Sequence, residues 1–146
     1  MAVIFKIIYS LFDEGITKDV CGFEMGYISF VFGDENEVYD DLSHQPLMIF
    51  LTISELILGL AEYEEKKLSS KEVIAVDSSY LLRFVRNDKM TDLVVNNDFT
   101  ITVDTKVMLR EICCSSIDFC KGYGSSLLTS VKSDLDYAFD KMIKMI

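Results

Sequence analysis

Side chains able to do covalent chemistry are few in this chain, and their spacing argues against most reactions. A Cys–His nucleophile needs a thiolate beside an imidazole. The sequence holds one histidine, His44, and four cysteines, Cys21, Cys113, Cys114 and Cys120. Cys113 and Cys120 stand seven residues apart, on one stripe of a helix, where they read as small apolar core residues, and His44 reads as a loop residue. The cysteine spacing matches neither paired C-x-x-C zinc ligands nor a secreted disulfide framework, so buried, reduced thiols are expected. Asp34, Glu35, Asp40 and Asp41 could in principle converge on a hard cation. The stretch 33–38 nevertheless lacks the central glycine and regular ligand spacing of an EF-hand loop. No dinucleotide-binding glycine pattern, P-loop, zinc-protease helix or nucleophile elbow occurs. The expectation is a protein with no catalytic residue, no metal and no cofactor, and so not an enzyme.

Charge is distributed far less evenly. From Asp19 to Glu65 there is no Lys or Arg, while eleven acids fall there: Asp19, Glu24, Asp34, Glu35, Glu37, Asp40, Asp41, Glu55, Glu62, Glu64 and Glu65. The remainder carries 13 acids against all 14 bases, so this one segment accounts for the net charge of −10. A segregated negative field costs self-repulsion and attracts cations or basic partners. It also disfavours nucleic acid as a partner, because phosphate contacts need a basic face. Five carboxylates lie within the eight residues 34–41, and Tyr27 and Tyr39 fall in the same acidic segment. Rigid aromatic area among charges is typical of interface anchors. The predicted partner-binding residues are Asp34, Glu35, Glu37, Tyr39, Asp40 and Asp41.

The elements that must hold these residues follow from periodicity. With 146 residues, half of them apolar, the chain can bury a core and is read as a single domain over 1–146. No apolar run approaches the roughly 18 to 20 residues of a membrane span, so no membrane partner is expected. The first strand is predicted over 2–12, with Val3, Phe5, Ile7, Tyr9 and Leu11 in one row, and a turn over 13–19. Lys6 sits inside this run rather than before it, unlike a secretory signal, which predicts a cytoplasmic protein. The stretch 21–32 is apolar in both rows and predicts a central or doubly covered strand, with Gly22 and Gly26 marking a bulge or close approach. A turn over 33–37 and a short strand at Val38 and Tyr39 follow.

Leu47 to Leu51 can add a strand or feed a helix. Thr52-x-x-Glu55 has the form of a capping box, which predicts a helix starting at Thr52 with Ile53, Leu56, Ile57 and Leu60 as its stripe. From Glu72 the period becomes two, predicting strands over 72–77, 80–86, 90–96 and 99–104 joined as an antiparallel meander. Asp104 or Thr105 can cap a second helix with Leu109, Ile112, Cys113, Ile117 and Cys120 on its stripe. A third from about Ser126 would bury Leu128, Val131, Leu135, Ala138, Phe139 and Met142. The predicted fold class is α+β, an antiparallel sheet of five or six strands packed with three helices.

A small, acidic α+β chain without catalytic residues resembles, in size, charge and class, the immunity proteins of bacterial toxin systems, including contact-dependent growth inhibition. That resemblance implies a stoichiometric antitoxin that neutralises a cognate toxin, often a basic nuclease, with complementary charge speeding encounter. Two other classes fit the composition: an enzyme whose acids line a pocket for a cationic substrate, and a subunit that assembles through an apolar sheet face or edge. The oligomeric state is left open by the sequence.

Overall fold

Alternation of apolar and polar residues sets the first strand of the computed structural model, which describes residues 4–12, 20–34, 36–40 and 45–146. Strand β1 (Ile4–Leu11) buries Phe5, Ile7, Tyr9 and Leu11 and turns Lys6 and Ile8 outward. It pairs antiparallel with β2 (Met25–Gly33), in register from Ile4↔Gly33 to Leu11↔Gly26. The opposite edge of β2 takes β3 (Val38–Asp40) near its C-terminus and β4 (Leu47–Met48) near its N-terminus. The strand with two apolar rows is therefore central, as its pattern predicts. It begins at Met25 rather than Cys21 for a local reason: the Glu24 carboxylate folds back to accept the N–H groups of Cys21 and Gly22, and Gly22 sits at φ 124. The turn predicted over 13–19 lies outside the described residues.

Helix α1 (Ile49–Glu65) follows β4 without a loop. The capping box predicted at Thr52 does not form: the helix starts three residues earlier, Met48 offers no side-chain cap, and Thr52 is buried inside the helix. Its hydroxyl instead accepts the Val76 N–H at 3.0 Å, so a tertiary donor replaces the local one. Ile49, Phe50, Ile53, Leu56, Ile57, Leu60, Ala61 and Tyr63 are buried around nearly the whole circumference, which suits a helix enclosed by other elements.

Four strands, β5 (Ser70–Ile74), β6 (Leu81–Asn87), β7 (Met90–Val95) and β8 (Phe99–Asp104), make the predicted antiparallel meander. Helix α2 (Thr105–Lys121) starts where β8 ends, and the Asp104 carboxylate caps it by accepting the Val107 N–H at 3.1 Å. Helix α3 (Thr129–Ile143) buries Val131, Leu135, Ala138, Phe139 and Met142. Leu128, predicted to share that stripe, is instead the exposed N-cap residue, because the helix begins three residues after Ser126. Helix α1 packs against α3, α2, β2 and β5.

The strands form two four-stranded antiparallel sheets rather than one sheet of five or six. The outer edge of β1 is the obvious place for the meander to join, and α2 occupies it. Glu111 accepts the Ile7 N–H at 3.2 Å, and the Tyr9 hydroxyl bonds Ser116 Oγ at 2.6 Å. Among the described residues, the first sheet is tied to the segment just after β5 by a backbone bond from the Met48 N–H to the Val76 carbonyl at 3.0 Å, and to β8 by Phe32 stacked on Phe99 at 5.3 Å. Among the described residues no helix is long and apolar enough to cross a membrane.

Candidate partner-binding site

The acidic turn is the tip of the β2–β3 hairpin. Gly33 ends β2 at φ 150, and a Cβ there would collide with the Glu37 carbonyl oxygen, so only glycine fits. The Asp34 N–H donates to that carbonyl at 2.9 Å, and Asp34 Oδ1 accepts the N–H groups of Asn36 at 2.9 Å and Glu37 at 3.0 Å. Asp34 thus holds the loop as an Asx-type turn, with one carboxylate oxygen committed to the fold. Glu37 is exposed, and so are Val38 and Tyr39, by 51% and 48%.

Tyr39 is backed by a ladder of rings. It stacks on Phe32, its cross-strand partner, at 5.5 Å, and Phe32 stacks in turn on Phe99 of β8. A hydrogen bond from the Tyr39 phenol to the Glu37 carboxylate raises the pKa of the phenol, with smaller contributions from burial and from the charges of Glu37 and Asp34. The tip therefore presents the Tyr39 ring, fixed from behind by Phe32 and bordered by carboxylates, while the exposed Val38, its neighbour along β3 and the cross-strand partner of Gly33, belongs to the opposite face. Such a surface can take a cationic side chain on the ring and pair it with a carboxylate. Of the six residues predicted for this site, Asp34, Glu37 and Tyr39 are brought together at the tip. Asp40 belongs to β3 by its backbone, and Glu35 and Asp41 lie outside the described residues, as does His44.

The rest of the acidic segment is divided between structural and exposed roles. Burial pushes the Glu24 carboxyl up, but the N–H donors of Cys21 and Gly22 outweigh it and hold its pKa below the usual value, so Glu24 serves as a turn cap. Glu64 faces Lys67 and lies 3.6 Å from Arg86. Glu55 and Glu65 are exposed on α1, and Glu62 pairs with Lys71 at 3.6 Å. Tyr27, half-buried on β2, packs against Phe12 with the rings tilted and their centroids 5.8 Å apart, away from the tip.

Two of the four cysteines, Cys21 and Cys114, depart from the uniformly buried set that the sequence predicts. All are free, and Cys113 and Cys120 are buried, whereas Cys21 is half-buried and Cys114 is exposed on the far side of α2. Burial pushes the Cys113 thiol up to about 11 and the Cys120 thiol up to about 12, so both are protonated at neutral pH and poor nucleophiles. No group of three or more His, Cys, Asp or Glu is arranged to hold a metal ion among the described residues. Phe32 and Phe99 are the members of the tip that sequence reading missed. Strand alternation could have linked Phe32 to Tyr39 once the hairpin register was known, but nothing local connects either to Phe99.

Comparison with known protein families, curated proteins and solved structures returns no match.

Proposed function

We propose that this chain is a non-catalytic immunity protein of the bacterial cytoplasm, an antitoxin that binds and neutralises a cognate basic toxin through the tip of the β2–β3 hairpin. The observation that supports this reading is the half-exposed ring of Tyr39, braced by Phe32 and set beside Asp34 and Glu37. It stands in a stretch of chain without a single base from Asp19 to Glu65. Exposed apolar and aromatic area braced from behind loses little entropy on binding, and surrounding carboxylates steer a cationic partner toward it. A toxin nuclease domain, basic because it must hold phosphates, has the complementary charge.

The test is surface plasmon resonance against the toxin encoded beside this chain, over a range of salt. Replacing Asp34, Glu35, Glu37, Asp40 and Asp41 together by Asn or Gln should slow association and flatten its salt dependence. Tyr39→Ala should act on dissociation, costing about 2 kcal/mol if the ring is a central anchor. Unchanged affinity and salt dependence in the five-fold variant would overturn the proposal.

A further inference from the structure

Among the described residues, no strand covers the outer edge of β5. The Arg86 N–H donates to the Ser69 carbonyl at 2.8 Å, and the Ala75 N–H donates to the Tyr80 carbonyl at 2.8 Å. With the register Ser70↔Val85 to Ile74↔Leu81, this alternation aims the backbone polar groups of Lys71 and Val73 at β6. Those of Ser70, Glu72 and Ile74 therefore point away from the sheet. Val76, the next outward residue, is satisfied by Thr52 and Met48.

Helix α1 runs antiparallel beside this edge. Thr52 meets Val76, Gly59 lies against Val73, and Glu62 Oε1 is 3.6 Å from Lys71 Nζ. Between helix and strand lies a groove of about 350 Å³, with Leu58 and Gly59 on the helix side and Glu55 and Glu62 flanking them. Seven residues separate the two acids, about 10 Å along the helix axis. Ile74 stands at the rim, 61% exposed.

We infer that this groove takes an extended, Lys- or Arg-bearing segment of a partner polypeptide, which adds to β5 as a fifth strand of the meander. The outward N–H and C=O groups of Glu72 and Ile74 supply the ladder bonds of strand addition. Side chains of the added strand that face the groove recur about every 7 Å, so two of them span Leu58 and reach Glu55 and Glu62. Lys71 already shows the required chemistry, since a cation carried on a strand of this sheet reaches Glu62. Glu55 has no cationic partner among the described residues. Charge selects a basic segment over a second copy of this chain: each copy carries −10, and pairing two β5 edges would bring Glu55, Glu62 and Glu72 of both together.

The experiment titrates the isotope-labelled protein with a synthetic octapeptide, Thr-Lys-Val-Lys-Val-Lys-Val-Thr, and follows backbone amide exchange by NMR. Protection of the Glu72 and Ile74 amides is expected, with affinity falling on the order of tenfold between low and high salt. N-methylation of alternate peptide nitrogens should abolish binding in one of its two phases only, leaving the protein itself unaltered. Glu55→Gln with Glu62→Gln should weaken binding about tenfold, whereas Glu37→Gln at the hairpin tip should leave it unchanged, so the two surfaces fail separately. Absent protection at Glu72 and Ile74, equal binding by both N-methylated peptides, or protection that arises from self-association without peptide would each overturn the inference.

Discussion

Arg86 ties the C-terminal end of α1 to the meander, and its replacement should be among the most costly on the partly exposed surface. The last carbonyls of a helix have no partner within it. The Arg86 guanidinium supplies one donor there, Nη2–H to the Tyr63 carbonyl, which also accepts the Leu68 N–H at 3.0 Å, and a second, Nε–H, to the Leu68 carbonyl just beyond the helix, both Arg86 bonds being 2.9 Å. It also lies 4.3 Å from the centre of the Tyr63 ring and 3.6 Å from Glu64, and its side chain is 17% exposed. A hydrogen bond with a charged donor is worth about 1.5 to 3 kcal/mol, and a cation over an aromatic face about 0.5 to 2 kcal/mol. These terms overlap, and water can reach part of the site in the variant. Arg86→Met, which keeps the alkyl packing, should therefore cost about 2 to 4 kcal/mol. For a chain of this size that is roughly 5 to 15 °C in Tm. Arg86→Lys keeps the charge but cannot serve two diverging carbonyls, so it should recover less than half of the loss. Urea unfolding monitored by circular dichroism reads both, as a lower midpoint at unchanged slope. A loss under about 0.5 kcal/mol for Arg86→Met would refute the clamp, because water would then be satisfying both carbonyls equally well.

Further expectations follow from the same contacts. The Glu24 carboxyl has its pKa lowered in the fold, so its contribution is present above the unfolded value near 4.5 and is lost as pH falls through the folded one. The stability difference between the protein and Glu24→Gln, measured by urea titration, should accordingly be larger at pH 7 than at pH 3. Gly33→Ala meets the Glu37 carbonyl oxygen at an unfavourable φ and should cost about 1 to 3 kcal/mol while reducing binding through the tip; calorimetry and the resonance assay report the two effects. In thiol labelling at pH 8, Cys114 should react rapidly, and Cys113 and Cys120 only on unfolding. Rapid reaction of all four would contradict the packing of α2.

Much of the architecture is legible locally because burial is periodic. The row Phe5, Ile7, Tyr9 and Leu11 could be buried only by a strand, and the meander from β5 to β8 is written in alternation broken by Asp88 and the Asn96–Asn97 pair. Those three residues adopt positive φ at the turns, as Asn and Asp do most readily among residues with side chains. Asp104 caps α2 because its donor, Val107, is three residues away. The acidic hairpin tip is equally local: Gly33 and Asp34 fold it within five residues. The failures share the opposite property. Thr52 has the sequence of a cap, yet it bonds Val76, 24 residues on. Leu128 has the spacing of a core residue but falls just before its helix begins.

By itself, the sequence determines the α+β class, the order and type of its principal elements, the acidic turn and its segregated charge, since each depends on neighbours a few residues away. Only the tertiary structure decides that α2 blocks the edge of β1 and divides the strands into two sheets. The same is true of the brace that Phe99 provides to Tyr39 through Phe32, and of the β5 edge beside Glu55 and Glu62, which no strand among the described residues pairs. Edge occupancy and ring stacking depend on which distant surfaces bury the most apolar area together, and hydrophobic burial is non-directional, leaving no local spacing from which the partner could be read.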